Sequence, residues 1–192
     1  MAKNCAKLYV FSAPSGSGKT TIVRDVLKSH PDFVFSISAT TRKKRADEKE
    51  GVDYFFLSEN EFLEKVSKGD FVEWEKFYDY YYGTLKNLVD DNLDKGLSSV
   101  FEVDVKGALN IKKHYPNSVL IFIAPPSIQE LKERLINRNT ETDDDLNKRI
   151  ERAEMELSFK DRFDYVVSNI NLEEAKIEVK KIIEMEILKE NI

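Results

Sequence analysis

Cysteine is nearly absent from this chain of 192 residues. Cys5 stands alone, so no disulfide can form within the chain, which reads as a protein of a reducing compartment. Cys5 itself reads as a small residue near a terminus rather than a reactive thiol. Long hydrophobic runs are missing as well. The apolar stretch at residues 8–13 is too short for a signal peptide or a bilayer span, and it runs straight into a glycine loop. There is no excess of positive charge: the formal net charge of -5 argues against a general nucleic-acid binder. Internal repeats and low-complexity linkers are also lacking. Together these absences predict a cytoplasmic protein with neither nucleic acid nor membrane as partner, and they leave monomer and homodimer both open.

What is present suits one domain, or a core with insertions. Hydrophobic residues make up 41% of the chain and charged residues 34%, enough for a buried core and a well-solvated surface. The pattern alternates strand and helix, which predicts an α/β fold with a largely parallel sheet. Strands are expected at 8–12, 33–38, 99–103, 119–124 and 165–168. Helices are expected at 20–28, 106–114, 128–137, 146–159 and 172–189. In the fourth of these, Leu146, Ile150, Ala153 and Leu157 keep one face apolar at helical spacing. Between about 39 and 95 the rhythm breaks into short aromatic-rich stretches with a helix near 59–68, which reads as a small mixed β insertion. The polar segment 138–145 reads as a mobile lid.

The strongest single feature is Ala13-Pro14-Ser15-Gly16-Ser17-Gly18-Lys19-Thr20, followed by Thr21. It fits the phosphate-loop pattern G-x-x-x-x-G-K-[ST] except that Ala13 replaces the first glycine. Glycines let backbone N–H groups converge on phosphate oxygens, and the helix that follows points its positive end at the same spot. Lys19 would bridge the β- and γ-phosphates of a nucleoside triphosphate, and the Thr20 hydroxyl would bind or orient Mg²⁺. An ordinary Gly-Ser turn is the bland reading. The apolar strand before the loop and the amphipathic helix after it favour the nucleotide.

Such a loop does not say what accepts the phosphoryl group. Further clusters do: Ser38-Ala39-Thr40-Thr41-Arg42-Lys43-Lys44-Arg45 with Gly51-Val52-Asp53-Tyr54-Phe55, then Phe71-Val72-Glu73-Trp74 with Tyr81-Tyr82-Gly83-Thr84. Glu102-Val103-Asp104, Ala124-Pro125-Pro126-Ser127 and Arg138-Asn139-Thr140-Glu141-Thr142 follow. In this order, over residues 8–169, they resemble the guanylate kinase family of P-loop nucleoside monophosphate kinases. One departure is Lys106, where the family pattern has glutamine before Gly107.

The resemblance implies transfer of the γ-phosphoryl group of ATP to GMP or dGMP in purine nucleotide metabolism. It implies a parallel-sheet core over 1–38 and 85–192, a GMP-binding insertion over 39–84 and a helical lid at about 134–150. It also implies that Arg42, Arg45, Tyr54 and Tyr82 hold the GMP phosphate, a task guanidinium forks suit. Glu73 would accept from guanine N1–H and the 2-amino group, where adenine would meet it with repulsion. Ser38 and Thr84 would donate to guanine O6. Glu102 and Asp104 are expected to alternate on one strand and face the site, Glu102 orienting acceptor groups and Asp104 steering Mg²⁺ waters. Arg134, Arg138 and Arg149 would neutralise the transferring group.

Two rivals share some of these features. A kinase for a sugar phosphate would keep the loop without needing Glu73, Ser38 and Thr84. A phosphopeptide-binding scaffold domain would not need the Lys19-Thr20 pair. A P-loop GTPase is disfavoured because no Asn-Lys-x-Asp motif is present.

Overall fold

The computed structural model describes residues 6–77, 79–136 and 143–189. Cys5, Arg138 and residues 138–142 of the expected lid lie outside these. In chain order the elements are β1 (Leu8–Ser12), α1 (Lys19–Ser29), β2 (Val34–Phe35), β3 (Ala39–Thr40), β4 (Phe55–Phe56) and α2 (Glu59–Lys68). Then come β5 (Phe71–Phe77), β6 (Tyr80–Leu85), α3 (Lys86–Asp94), β7 (Ser99–Glu102), α4 (Val105–His114) and β8 (Val119–Ala124). The chain continues through α5 (Ile128–Ile136), α6 (Asp143–Leu157), a 3-10 turn (Lys160–Arg162), β9 (Tyr165–Ser168) and α7 (Leu172–Leu188).

Two sheets result. Five parallel strands run in the order β2-β7-β1-β8-β9, and a mixed sheet of four runs β4-β3-β6-β5. β1 is buried along its whole length because both faces of the parallel sheet are covered. Its alternate residues feed two cores. Tyr9 and Phe11 pack with Ile22, Val23 and Val26 of α1 and Val179, Ile182 and Ile183 of α7. Leu8 and Val10 pack with Val105, Ala108 and Ile111 of α4. The small sheet has its own cluster, Ala39, Phe62, Phe71 and Leu85. It is also moored to the second core through Val72, which packs there while its strand belongs to the small sheet.

Strands at 8–12, 119–124 and 165–168 and the helix at 59–68 occupy the expected residues. The strand expected over 33–38 is only Val34–Phe35. It is an edge strand paired with β7 alone, and by Ser38 the chain has turned into the small sheet, where the Ser38 carbonyl accepts from Phe55 N at 3.0 Å. Helix α3 was not anticipated, since a mixed β insertion was expected to run to about residue 95. Residues 143–145, expected in the lid, open α6.

Candidate active site

The loop after β1 turns tightly, with Ser17 N donating to Pro14 O at 3.1 Å. Gly18 then adopts a left-handed conformation (φ 86°), and α1 starts at Lys19 with no acidic residue in its first turn, leaving the helix's positive end open to an anion. Only glycine suits position 18: a Cβ there would stand 2.4 Å from Asn169 Nδ2, which donates to Ser17 O at 2.7 Å. Asn169, at the end of β9, thereby pins the loop. Lys19 Nζ donates to the Val103 carbonyl at 3.0 Å, and burial lowers its pKa against the pull of Glu102, Glu156 and Asp104. The Thr20 hydroxyl donates to Glu102 Oε1 at 2.5 Å. A cleft of about 410 Å³ opens over this loop, lined by all of Ala13, Pro14, Ser15, Gly16, Ser17, Gly18, Lys19, Thr20 and Thr21 and by Arg149 of α6.

A second cleft of about 510 Å³ adjoins it and shares Lys19, Thr20, Glu102 and Asp104 with the first. From the small sheet and its approaches come Ser38, Tyr54, Glu73 and Tyr82. Glu73 is 9% exposed, and its Oε1 accepts from the Thr84 hydroxyl at 2.6 Å. Burial first, with the charge of Asp104 added, pushes its carboxyl up to about 7 despite that bond. Gly107 admits it to the first turn of α4, since a Cβ there would lie 2.9 Å from Glu73 Oε2.

Strict alternation would set Glu73 opposite a buried Val72 and a buried Trp74. Instead the pairing of β5 with β6 shifts register between Phe71 and Glu73, so Phe71, Val72 and Glu73 are buried in succession and Trp74 is 44% exposed. A bulge of this kind re-aims a side chain beside a site. The expectation that Glu102 and Asp104 alternate on one strand is also corrected. Glu102 ends β7, whereas Asp104 is the N-cap of α4 and accepts from Gly107 N at 2.7 Å. Both still line the second cleft.

The expected phosphate-holding arginines are arranged differently. Arg42 makes two hydrogen bonds to Glu48, at 2.5 and 3.0 Å, and lies over the Tyr54 ring at 5.4 Å. Its bonds to Glu48 raise its pKa further. Arg45 is exposed and offers its backbone N–H, not its guanidinium, to Glu48. Neither arginine lines the second cleft, although Tyr54 and Tyr82, 6.1 Å apart edge to face, do so. Arg134 bonds Glu130 at 2.5 Å and the Asn169 carbonyl at 3.4 Å, which sets it behind the residue that pins the loop.

Arg152, three positions beyond Arg149 on α6, is not among the expected site residues, yet it lines both clefts. Its guanidinium bonds Glu75 and Asp104, both at 3.2 Å, and Glu156 at 3.0 Å, and it stacks over Phe77 at 4.5 Å. Glu75 was missed as well. Burial, then the neighbouring Asp104, pushes its carboxyl up to about 7. For Asp104 burial acts upward too, but bonds with Glu75 and Gly107 N–H and the nearby Arg152 and Lys19 hold it below the usual carboxylate range. The i,i+3 spacing of Arg149 and Arg152 was the available signal; nothing in the sequence tied Arg152 to Glu75.

A buried strand, a glycine-bearing turn and a helix opening on Lys-Thr, set at the carboxyl edge of a parallel sheet beside a second polar cleft, define a P-loop nucleotide kinase. The chain belongs to the guanylate kinase family, whose sequence model matches residues 5–186. It is 48% identical to the guanylate kinase of Thermotoga maritima over 169 residues, 88% of this chain and 82% of that one. It is 49% identical to the guanylate kinase of Bacteroides fragilis over 180 residues, 93% of this chain and 88% of that one. Its fold superposes on the crystal structure of guanylate kinase from Anaplasma phagocytophilum with a TM-score of 0.74 and 31% identity, covering 95% of this chain and 87% of that one. Among the described residues no helix is long and apolar enough to cross a membrane.

Proposed function

We infer that this protein transfers the γ-phosphoryl group of ATP to GMP, giving ADP and GDP. Beyond membership of the family, one observation carries the reading. Two clefts meet at Lys19 and Thr20, and the acceptor-side cleft holds a buried carboxylate, Glu73, that can read a base. ATP phosphates lie along residues 13–21, and GMP lies against the insertion, residues 39–84, with the rest of the chain as core. Glu73 accepts from guanine N1–H and the 2-amino group. Ser38 and Thr84 donate to guanine O6, Thr84 by turning its hydroxyl from Glu73, which it holds in the empty site. Tyr54, Tyr82, Arg42 and Arg45 serve the GMP phosphate, Arg42 by leaving Glu48 and Arg45 by turning in its exposed side chain.

A nucleoside monophosphate has a second pKa near 6 and is already an anionic nucleophile at neutral pH, so no general base is needed. Rate enhancement comes from alignment and charge neutralisation by Lys19, Arg134, Arg138 and Arg149. Lys19 is parked on the Val103 carbonyl and exchanges that bond for phosphate oxygens. The oxygen donors at the junction, the Thr20 hydroxyl beside Glu102 with Asp104 near by, suit Mg²⁺, which keeps most of its waters and takes few protein ligands. Thr20 would hold it directly and Asp104 through water, and with ATP bound it would supply positive charge across the β- and γ-phosphates.

The test is ADP release with ATP, Mg²⁺ and each nucleoside monophosphate in turn. Turnover is expected with GMP and little with AMP, CMP or UMP. Lys19→Ala is expected to lower kcat by about a thousandfold. Equal turnover with AMP and GMP would remove Glu73 as the base reader.

A further inference from the structure

Arg152 joins three parts of the chain that the sequence keeps far apart. Its own helix, α6, supplies Glu156, which takes Nε–H at 3.0 Å and fixes the root of the guanidinium one turn along. The core supplies Asp104, the cap of α4, at 3.2 Å from Nη2. The small sheet supplies Glu75, 3.2 Å from the same nitrogen, and the Phe77 ring, over which the guanidinium lies at 4.5 Å. Glu75 and Phe77 are alternate residues of β5 and share a face, so the planar cation fits a carboxylate and a ring that one strand presents together. With its side chain only 30% exposed, Arg152 is held on several sides. The strand it grips also carries Glu73, and the helix it stands on also carries Arg149 into the phosphate-loop cleft.

We propose that Arg152, Glu75 and Phe77 form a clasp that holds the small sheet against α6, making Arg152 a positioning residue for GMP. The proposal rests on the functional reading above. Closing the clasp sets the width of the acceptor-side cleft, which these three residues line together with Glu73 and Tyr82. It also transmits occupancy of that cleft to α6 and so to Arg149. Arg152 acts through the sheet: its Nε and Nη2 are held by carboxylates and one face of its guanidinium is covered by Phe77.

A double-mutant cycle with Glu75→Ala and Arg152→Ala tests the clasp, with GMP affinity measured by titration calorimetry without ATP, alongside KM and kcat for both nucleotides. Each single variant is expected to weaken GMP binding by about fivefold, and the double variant no more than the weaker single one, as coupled partners behave. KM for GMP should rise more than kcat falls, and KM for ATP should stay within about twofold. Should Arg152→Ala not fold, Phe77→Leu with Arg152→Lys carries the same cycle through the stacking contact. Additive losses would overturn the clasp. So would a drop in kcat of about a hundredfold with GMP affinity unchanged, which would make Arg152 a cation of the transition state. Either failure leaves wild-type turnover with GMP intact, whereas failure of the functional reading would abolish it.

Discussion

Burying a carboxylate beside a single hydroxyl has a cost that pH exposes, and Glu73 sits in that position. Its folded-state pKa, about 7, lies above the ordinary value of 4.5, so its contribution to stability is fully present below the latter and is lost as pH rises through about 7. The ionised form that the proposed guanine contact requires is therefore the form the empty fold tolerates least, and a bound guanine would return the hydrogen bonds that water would have supplied. Glu73→Gln keeps the shape and removes the charge. Its melting temperature relative to wild type is expected to climb between pH 5 and pH 8, with the stability difference growing by roughly 2 kcal/mol, while GMP turnover is lost. Thermal melts across that range decide it; a difference that does not change with pH would mean the carboxyl ionises freely.

At the scale of elements, what carries a periodic signal was legible and what depends on pairing was not. Strand β1, buried on both faces, is a continuous apolar run, and α2 carries its own punctuation. Ser58 accepts from Glu61 N while the Glu61 carboxylate returns to Ser58 N at 2.8 Å, and Gly69 in the left-handed region ends the helix. Ser58→Ala removes half of that box and is expected to cost about 1 kcal/mol, or roughly 2–4 °C in Tm, with unchanged KM for ATP. Differential scanning calorimetry would show it, and an unshifted Tm would mean that the helix start is set by packing of Phe62 instead. The bulge at Val72 left no such mark, because a register shift belongs to two strands at once and only one partner is read at a time. Asp104 was misassigned for a related reason: an acid two residues after a strand acid reads as alternation, whereas here the strand ends and Asp104 caps a helix. The tight turn before α1 and the helix that opens at Lys19 were legible because they depend on local backbone geometry, while the partners of Arg42 and Arg152 depend on long side chains choosing among several acids.

The whole molecule is closed far from the clefts. Lys7, just before the first strand, donates to Glu186 near the end of α7 at 2.9 Å, and Tyr165 and Lys189 converge on the same carboxylate at 2.6 and 2.5 Å. Burial alone would raise this carboxyl, but those bonds bring it down to about 2. Its contribution is thus present above pH 4.5 and is lost as pH falls through about 2. Glu186→Gln is expected to lose about 2 kcal/mol at pH 7, and the gap is expected to narrow as pH falls toward 2, as urea unfolding at pH 7 and at pH 2 would read. A constant gap between the two proteins would mean that packing of α7, not the charge, is what the substitution disturbs. The molecule also carries its own optical label. Trp74 is the sole tryptophan in the chain, 44% exposed and 6.0 Å from the Tyr81 ring on the strand that bears Glu73. Indole emission therefore reports the small sheet alone, so the proposed binding of GMP beside it can be watched in unlabelled protein while the five-stranded core stays dark.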